Sequence, residues 1–303
     1  MKRFLKNIAI ISAVCLAILI IGELIVRNMP TSYSYKNQWL ENNAEEVELL
    51  ILGPSHTYYG LKPELLDYNA FNLANVSQTP EYDQELLEKW ITRMPRLKYI
   101  VLSTSYYSFR EGTLEEIDNP RCNNYKIAMG INVHSDFSKY NFALSDFSGY
   151  FGKLRNLVLP QNSNICDSLG FGLGFDLTTR DPRWKEKGDE RVGELTYSKN
   201  LQRQKNVIEC FNKIAKTASD HGAECIVVIT PTWETFRQNA DPIQLQEFIS
   251  ITENMCKQNG FMLLNLFSSQ DFTEDDFHDV DHMSDKGAEK LSRILNAAIP
   301  KNC

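Results

Sequence analysis

Val47-Glu48-Leu49-Leu50-Ile51-Leu52-Gly53-Pro54-Ser55-His56 is the stretch from which the fold is read. Its apolar residues run on without polar alternation and stop at Gly53-Pro54. A short continuous apolar run closed by turn residues fits a strand covered on both faces, as in parallel sheets. Similar runs recur at 70–74, 99–102, 225–229 and 261–266. The spacing between them is helical: Leu86, Leu87, Trp90, Ile91 and Met94 line one face of 80–94. Helices are also predicted at 199–220, 242–258 and 284–298, the second starting at a Pro and closed by Gly260. Strands alternating with helices predict an α/β fold, three layers deep, around a five-stranded parallel sheet. Ligands of such folds bind at the carboxyl ends of the strands, where Ser55 falls.

The chain has 303 residues, with 32 Lys and Arg against 39 Asp and Glu, a net charge of −7. That balance argues against a nucleic-acid partner. One segment departs from the average. Ile8 to Val26 is almost wholly apolar, and as a helix it would span about 28 Å, close to the hydrocarbon core of a bilayer. It is too long for the apolar core of a cleaved signal and lacks a small-x-small site after it. Lys2, Arg3 and Lys6 precede it and Arg27 follows, which places 1–7 in the cytoplasm and the rest outside. The expected organisation is a tail (1–7), a transmembrane anchor (8–26), a polar linker (27–45) and an α/β domain (46–303). Within that domain, 106–198 breaks the strand–helix rhythm and reads as an insertion or lid over the sheet edge.

Of the seven cysteines, Cys15 lies in the anchor, and an exported domain permits disulfides among the others. Cys122 with Cys166 is a candidate bridge inside the insertion, whereas Cys225, on a predicted core strand, reads as a buried thiol.

Two short segments carry chemistry. Ser55 sits at a strand-to-helix turn, where a serine can be exposed as a nucleophile or can simply cap the turn. Phe277-His278-Asp279-Val280-Asp281-His282 lies between the fifth strand and the last helix. His282 with Asp279 three residues earlier offers a base and the acid that orients it. Asp281 is a rival for the acid, but as the neighbour of His282 it is expected to point elsewhere. The same segment could instead hold a metal through His278, Asp279, Asp281 and His282.

Taken together, Gly53-Pro54-Ser55 after the first strand and Asp279-Val280-Asp281-His282 before the last helix resemble the SGNH/GDSL hydrolase superfamily. The run His282-Met283-Ser284-Asp285-Lys286-Gly287 looks like the start of that family's last helix. The anchored layout and the Gly53-to-Gly60 spacing look most like branches related to DltD and the alginate O-acetylation proteins AlgJ and AlgX. The resemblance covers about 46–105 and 200–300. It implies an SGNH/flavodoxin-like fold, Ser55 as nucleophile, His282 as general base, Asp279 as its acid, and neither metal nor cofactor. The family's oxyanion glycine falls at Ala74, and its oxyanion asparagine has no counterpart in Ser103-Thr104-Ser105. Asn75, Gln78 or Ser105 are the substitute donors, and His56 could line the site or serve the fold. The expected function is an exported, membrane-anchored serine esterase or O-acyltransferase acting on a cell-envelope polysaccharide. The alternative is a catalytically weak glycan-binding or assembly partner of a membrane O-acyltransferase.

Overall fold

The computed structural model describes residues 1–117, 119–133 and 166–300. Helix α1 (Lys2–Arg27) leads into α2 (Ser32–Asn43), then β1 (Leu49–Ile51), β2 (Ala70–Asn72), α3 (Pro80–Trp90) and β3 (Tyr99–Ser103). After the 106–198 region, which contributes α4 (Gly188–Leu195), come α5 (Leu201–Asp220), β4 (Glu224–Ile229), α6 (Pro242–Asn259), β5 (Met262–Asn265) and α7 (Asp285–Ala298).

All five strands are parallel, in the order β2-β1-β3-β4-β5. This is the predicted α/β class with the flavodoxin-like order. Right-handed crossovers then fix the layers. The connections β2–β3, β3–β4 and β4–β5 all step the same way, so α3, α5 and α6 share one face, where α5 packs against both others. The β1–β2 connection steps the opposite way and lies on the other face, where its turn at Pro63–Leu65 meets α7. Connections diverge between β1 and β3, and the crevice at their carboxyl ends is where such sheets bind ligands. Leu49, Leu50, Ile51, Ile100, Val101, Leu102, Val227 and Val228 are fully buried, which is why their runs show no alternation.

α1 is long and apolar enough to cross a membrane, with a mean hydropathy of 2.8 over its best window. The expected polar linker is instead largely helix. Thr31 and Ser34 form a reciprocal capping box, and α2 buries Tyr33, Lys36 and Leu40 against the domain. Its stripe was hidden because its central member is a lysine. The Lys36 ammonium lies 4.3 Å over the Tyr58 ring and donates to the Ala74 carbonyl. Burial pulls its pKa down to about 7. Trp39 stacks on Phe71 of β2 at 4.0 Å, and the outer edge of β2 is closed by the Asn72 N–H donating to the Leu169 carbonyl at 2.9 Å.

The described parts of the 106–198 region join the core rather than hang from it: Tyr125, Met129, Phe171, Trp184, Val192 and Leu195 are all buried. The Cys122–Cys166 bridge is not formed; both are free thiols. Cys122 is engaged with Tyr82, whereas Cys166 faces Lys36 and Asp167, so different neighbours hold them apart. Cys225 is buried on β4 as expected, and burial pushes its thiol up to about 12. Cys303 lies outside the described residues.

Candidate active site

The strand β1 ends in a sharp turn that Gly53 makes feasible. Its φ is +115°, and a Cβ there would lie 2.8 Å from Thr57 Oγ1. The Gly53 N–H donates to Asp83 Oδ1 at 2.9 Å and its carbonyl accepts the Asn75 N–H at 3.2 Å, pinning the turn from both sides. Ser55 then opens one helical turn, Ser55–Tyr58, whose Thr57 and Tyr58 N–H groups donate to the Pro54 carbonyl. From that position Ser55 Oγ reaches His282 Nε2 at 2.8 Å.

His282 is presented by a tight loop. The Phe277 and Met283 backbones form a bridge, and Asp279 Oδ1 accepts the N–H groups of Asp281 and His282 at 3.0 and 2.8 Å. This Asx-type turn brings both Asp279 oxygens to His282 Nδ1, at 3.1 and 3.0 Å. Ser284 then caps α7 through the Gly287 N–H. A Cβ on Gly287 would lie 1.8 Å from the Asp276 carbonyl oxygen, so the loop and helix can only approach this closely at a glycine. Gly287→Ala is therefore expected to lower stability by about 3 kcal/mol. Chemical denaturation of the purified chain checks this, and an unchanged midpoint would show that the loop yields freely.

Asp281 does not point away, as adjacency to His282 suggested. Its side chain is 2% exposed, with Oδ1 3.3 Å from His282 Nδ1 and Oδ2 3.4 Å from His56 Nε2. The loop curls tightly enough that residues 279 and 281 flank the same ring. Arg191 clamps Asp281 from α4, its Nε 3.0 and 3.1 Å from the two oxygens and its Nη2 3.0 Å from Oδ2. Burial alone would lower the pKa of His282, but Asp279 and Asp281 outweigh it and raise it to about 10. Asp279 is correspondingly held at about 2 despite burial, chiefly by the His282 charge.

The expected oxyanion residues are placed unevenly. Gln78 lines the cavity beside Ser55, but its amide donates to Asp83 Oδ1 at 2.6 Å and its carbonyl accepts from Tyr125 at 2.7 Å. The Ala74 N–H is taken by Asn72 Oδ1 at 3.0 Å. Asn75 is buried, its Oδ1 accepting from Ser32 at 3.0 Å while its Nδ2 has no partner among the described residues. Ser105 is not in the cavity wall; its Oγ bonds His56 Nδ1 at 3.0 Å. His56 itself stacks behind His282, ring centroids 4.7 Å apart and nearly parallel, and burial lowers its pKa. It is a support for the site rather than part of its wall.

The cavity over Ser55 and His282 holds about 510 Å³. Sequence reasoning gave no signal for several of its walls: Phe175, Arg191, and the acids Asp83 and Glu111. Burial pushes both acids up to about 7. Because folded Asp83 binds its proton more tightly than a free carboxyl group with its pKa near 3.8, stability falls as pH rises from about 4 through 7. Asp83→Asn is expected to remove that part of the slope, read as the thermal midpoint against pH.

His56, Asp281 and His282 bring donor atoms within 4.8 Å of one another. Their donors are nevertheless committed, Asp281 to Arg191 and His282 Nε2 to Ser55. His278 turns elsewhere, stacked on Phe175 at 4.2 Å with Nε2 3.2 Å from Thr179 Oγ1. The donor set fits proton transfer better than metal ligation.

Fold and site together define an α/β protein with a serine–histidine–aspartate hydrogen-bond relay at the carboxyl edge of its sheet. Among solved structures, it is similar to a GDSL-like lipase from Bacteroides thetaiotaomicron, with 11% identity and TM-score 0.41 over 88% of this chain and 97% of that one. It is also similar to a carbohydrate acetylesterase from Sinorhizobium meliloti, with 8% identity and TM-score 0.38 over 84% of this chain and 98% of that one. No protein family and no curated protein matches the sequence.

Proposed function

We propose that the chain is a serine esterase or O-acyltransferase of SGNH type, held at a membrane by α1 and acting on acyl esters of a cell-envelope polysaccharide. The observation that carries this reading is the 2.8 Å contact between Ser55 Oγ and His282 Nε2, with Asp279 on the opposite ring nitrogen. In the reaction, Ser55 Oγ attacks the ester carbonyl as His282 Nε2 takes its proton. The ester C–O bond breaks, and the departing sugar hydroxyl takes the proton back from His282. Water or a second sugar hydroxyl then attacks the acyl-Ser55 bond, giving its proton to His282 and releasing Ser55 Oγ. A polar cavity with the rings of Tyr59, Tyr107 and Phe175 in its walls suits a polyhydroxylated ester better than a long acyl chain. Release of acetate from acetylated oligosaccharides by the full chain tests this, and a rate equal to the uncatalysed one would remove the reading.

One observation favours a catalytically weak glycan-binding or assembly partner of a membrane O-acyltransferase. The Ala74 N–H and one of the two N–H donors of the Gln78 amide, both expected at the oxyanion, are already engaged inside the protein. Glycan binding without labelling of Ser55 by a fluorophosphonate would select that reading.

A further inference from the structure

His282 Nδ1 faces two carboxylates, and they differ in kind. Asp279 sits on the loop surface, its side chain 37% exposed, and the two backbone N–H groups it accepts are its own loop's. Asp281 is 2% exposed, reaches the same nitrogen at 3.3 Å, and is fixed from outside the loop. Arg191, on α4, meets it through two nitrogens, and His56, beside the nucleophile, approaches it at 3.4 Å. His56 is held in turn by Ser105 Oγ at 3.0 Å and the Tyr107 hydroxyl at 3.3 Å. A side chain so restrained loses little freedom in serving the imidazole, whereas an exposed carboxylate must be kept in place against water.

We propose that Asp281 is a second positioning carboxylate for His282, sharing with Asp279 the work of orienting the ring and stabilising its imidazolium, with Arg191 and His56 holding it in register. The proposal deepens the hydrolase reading and rests on it, since His282 must be the base for the positioning to matter. The charged and titratable groups around the ring are Asp279 and Asp281 on its loop, His56 from the turn after β1, and Arg191 from α4 behind Asp281.

The test is an NMR titration of the His282 side chain in the full chain in detergent, which needs no substrate and so stands whatever the activity proves to be. In Asp279→Ala, which removes the outer carboxylate and its two bonds to the loop backbone but none of the contacts that Arg191 and His56 make with Asp281, the midpoint is expected to stay above that of a free imidazole, about 6.5. Adding Asp281→Asn together with Arg191→Gln, so that no charge is left buried alone, is expected to take it below that value. On an acetyl ester, Asp279→Ala is expected to lose less than about 100-fold in kcat/KM, against about 10⁴-fold where a triad's one carboxylate is removed. A midpoint at or below 6.5 in Asp279→Ala alone would overturn the proposal. So would activity in that variant as low as in His282→Ala.

Discussion

Ser55→Ala is expected to lower turnover of an acetyl ester by about 10⁴-fold or more, and to abolish labelling by a fluorophosphonate. The size follows from what the serine does. Without Oγ no acyl intermediate forms, and only binding and local dipoles remain to help water attack directly. The substitution removes one hydroxyl, whose one hydrogen bond among the described residues is to His282 Nε2, so the fold should survive. Loss of labelling with an unchanged denaturation midpoint would place the effect on chemistry. Equal turnover in both proteins would take Ser55 out of the mechanism, and labelling of some other serine would relocate it.

The second large effect is a dependence on pH. With two carboxylates around it, the His282 imidazolium persists up to about pH 10, so the neutral base is scarce near pH 7. kcat/KM is expected to climb about tenfold per pH unit over the neutral and alkaline range, approaching 10³-fold between pH 7 and 10. Alkaline ester hydrolysis rises as well, so the Ser55→Ala protein serves as the blank at each pH. The stability contribution has the opposite sense. A raised histidine pKa stabilises the fold fully below the unfolded value near 6.5 and loses that contribution as pH rises to about 10. The chain should therefore gain activity over the same range in which His282 ceases to stabilise it. A profile already flat at pH 7 would mean that the carboxylates do not hold the proton as their geometry suggests.

The parts of this protein that were legible from sequence are those whose logic is local. β1 to β4 are buried almost throughout and β5, at the sheet edge, is half-buried, yet each is a plain apolar run, which was enough to find it. Ser55 and the Asp279–His282 pair were legible because each sits in a short stretch whose turn chemistry and position beside a helix start point to one end of a sheet. What was not legible depends on contacts across the chain. The Arg191–Asp281 pair joins residues ninety apart, and nothing around Arg191 marks it. Helix α2 was read as linker because the centre of its buried stripe is Lys36, which is tolerated by a ring face and a carbonyl that only folding supplies. The surroundings of the expected oxyanion residues were hidden for a different reason. Ala74, Asn75 and Ser105 lie close to the site in sequence, and only the fold supplies the Asn72 that takes the Ala74 N–H, the Ser32 that bonds the Asn75 side-chain carbonyl and the His56 that bonds Ser105.

Helix α2 also bears on reach. It starts five residues after α1 ends, and two of its side chains, Ser32 and Lys36, are bonded to the loop that follows β2. If α1 is the anchor proposed above, its short link to a docked helix would make it a bracket more than a leash. With α1 set in a bilayer, the mouth of the cavity would then be held near the membrane surface, within reach of material that lies close to it.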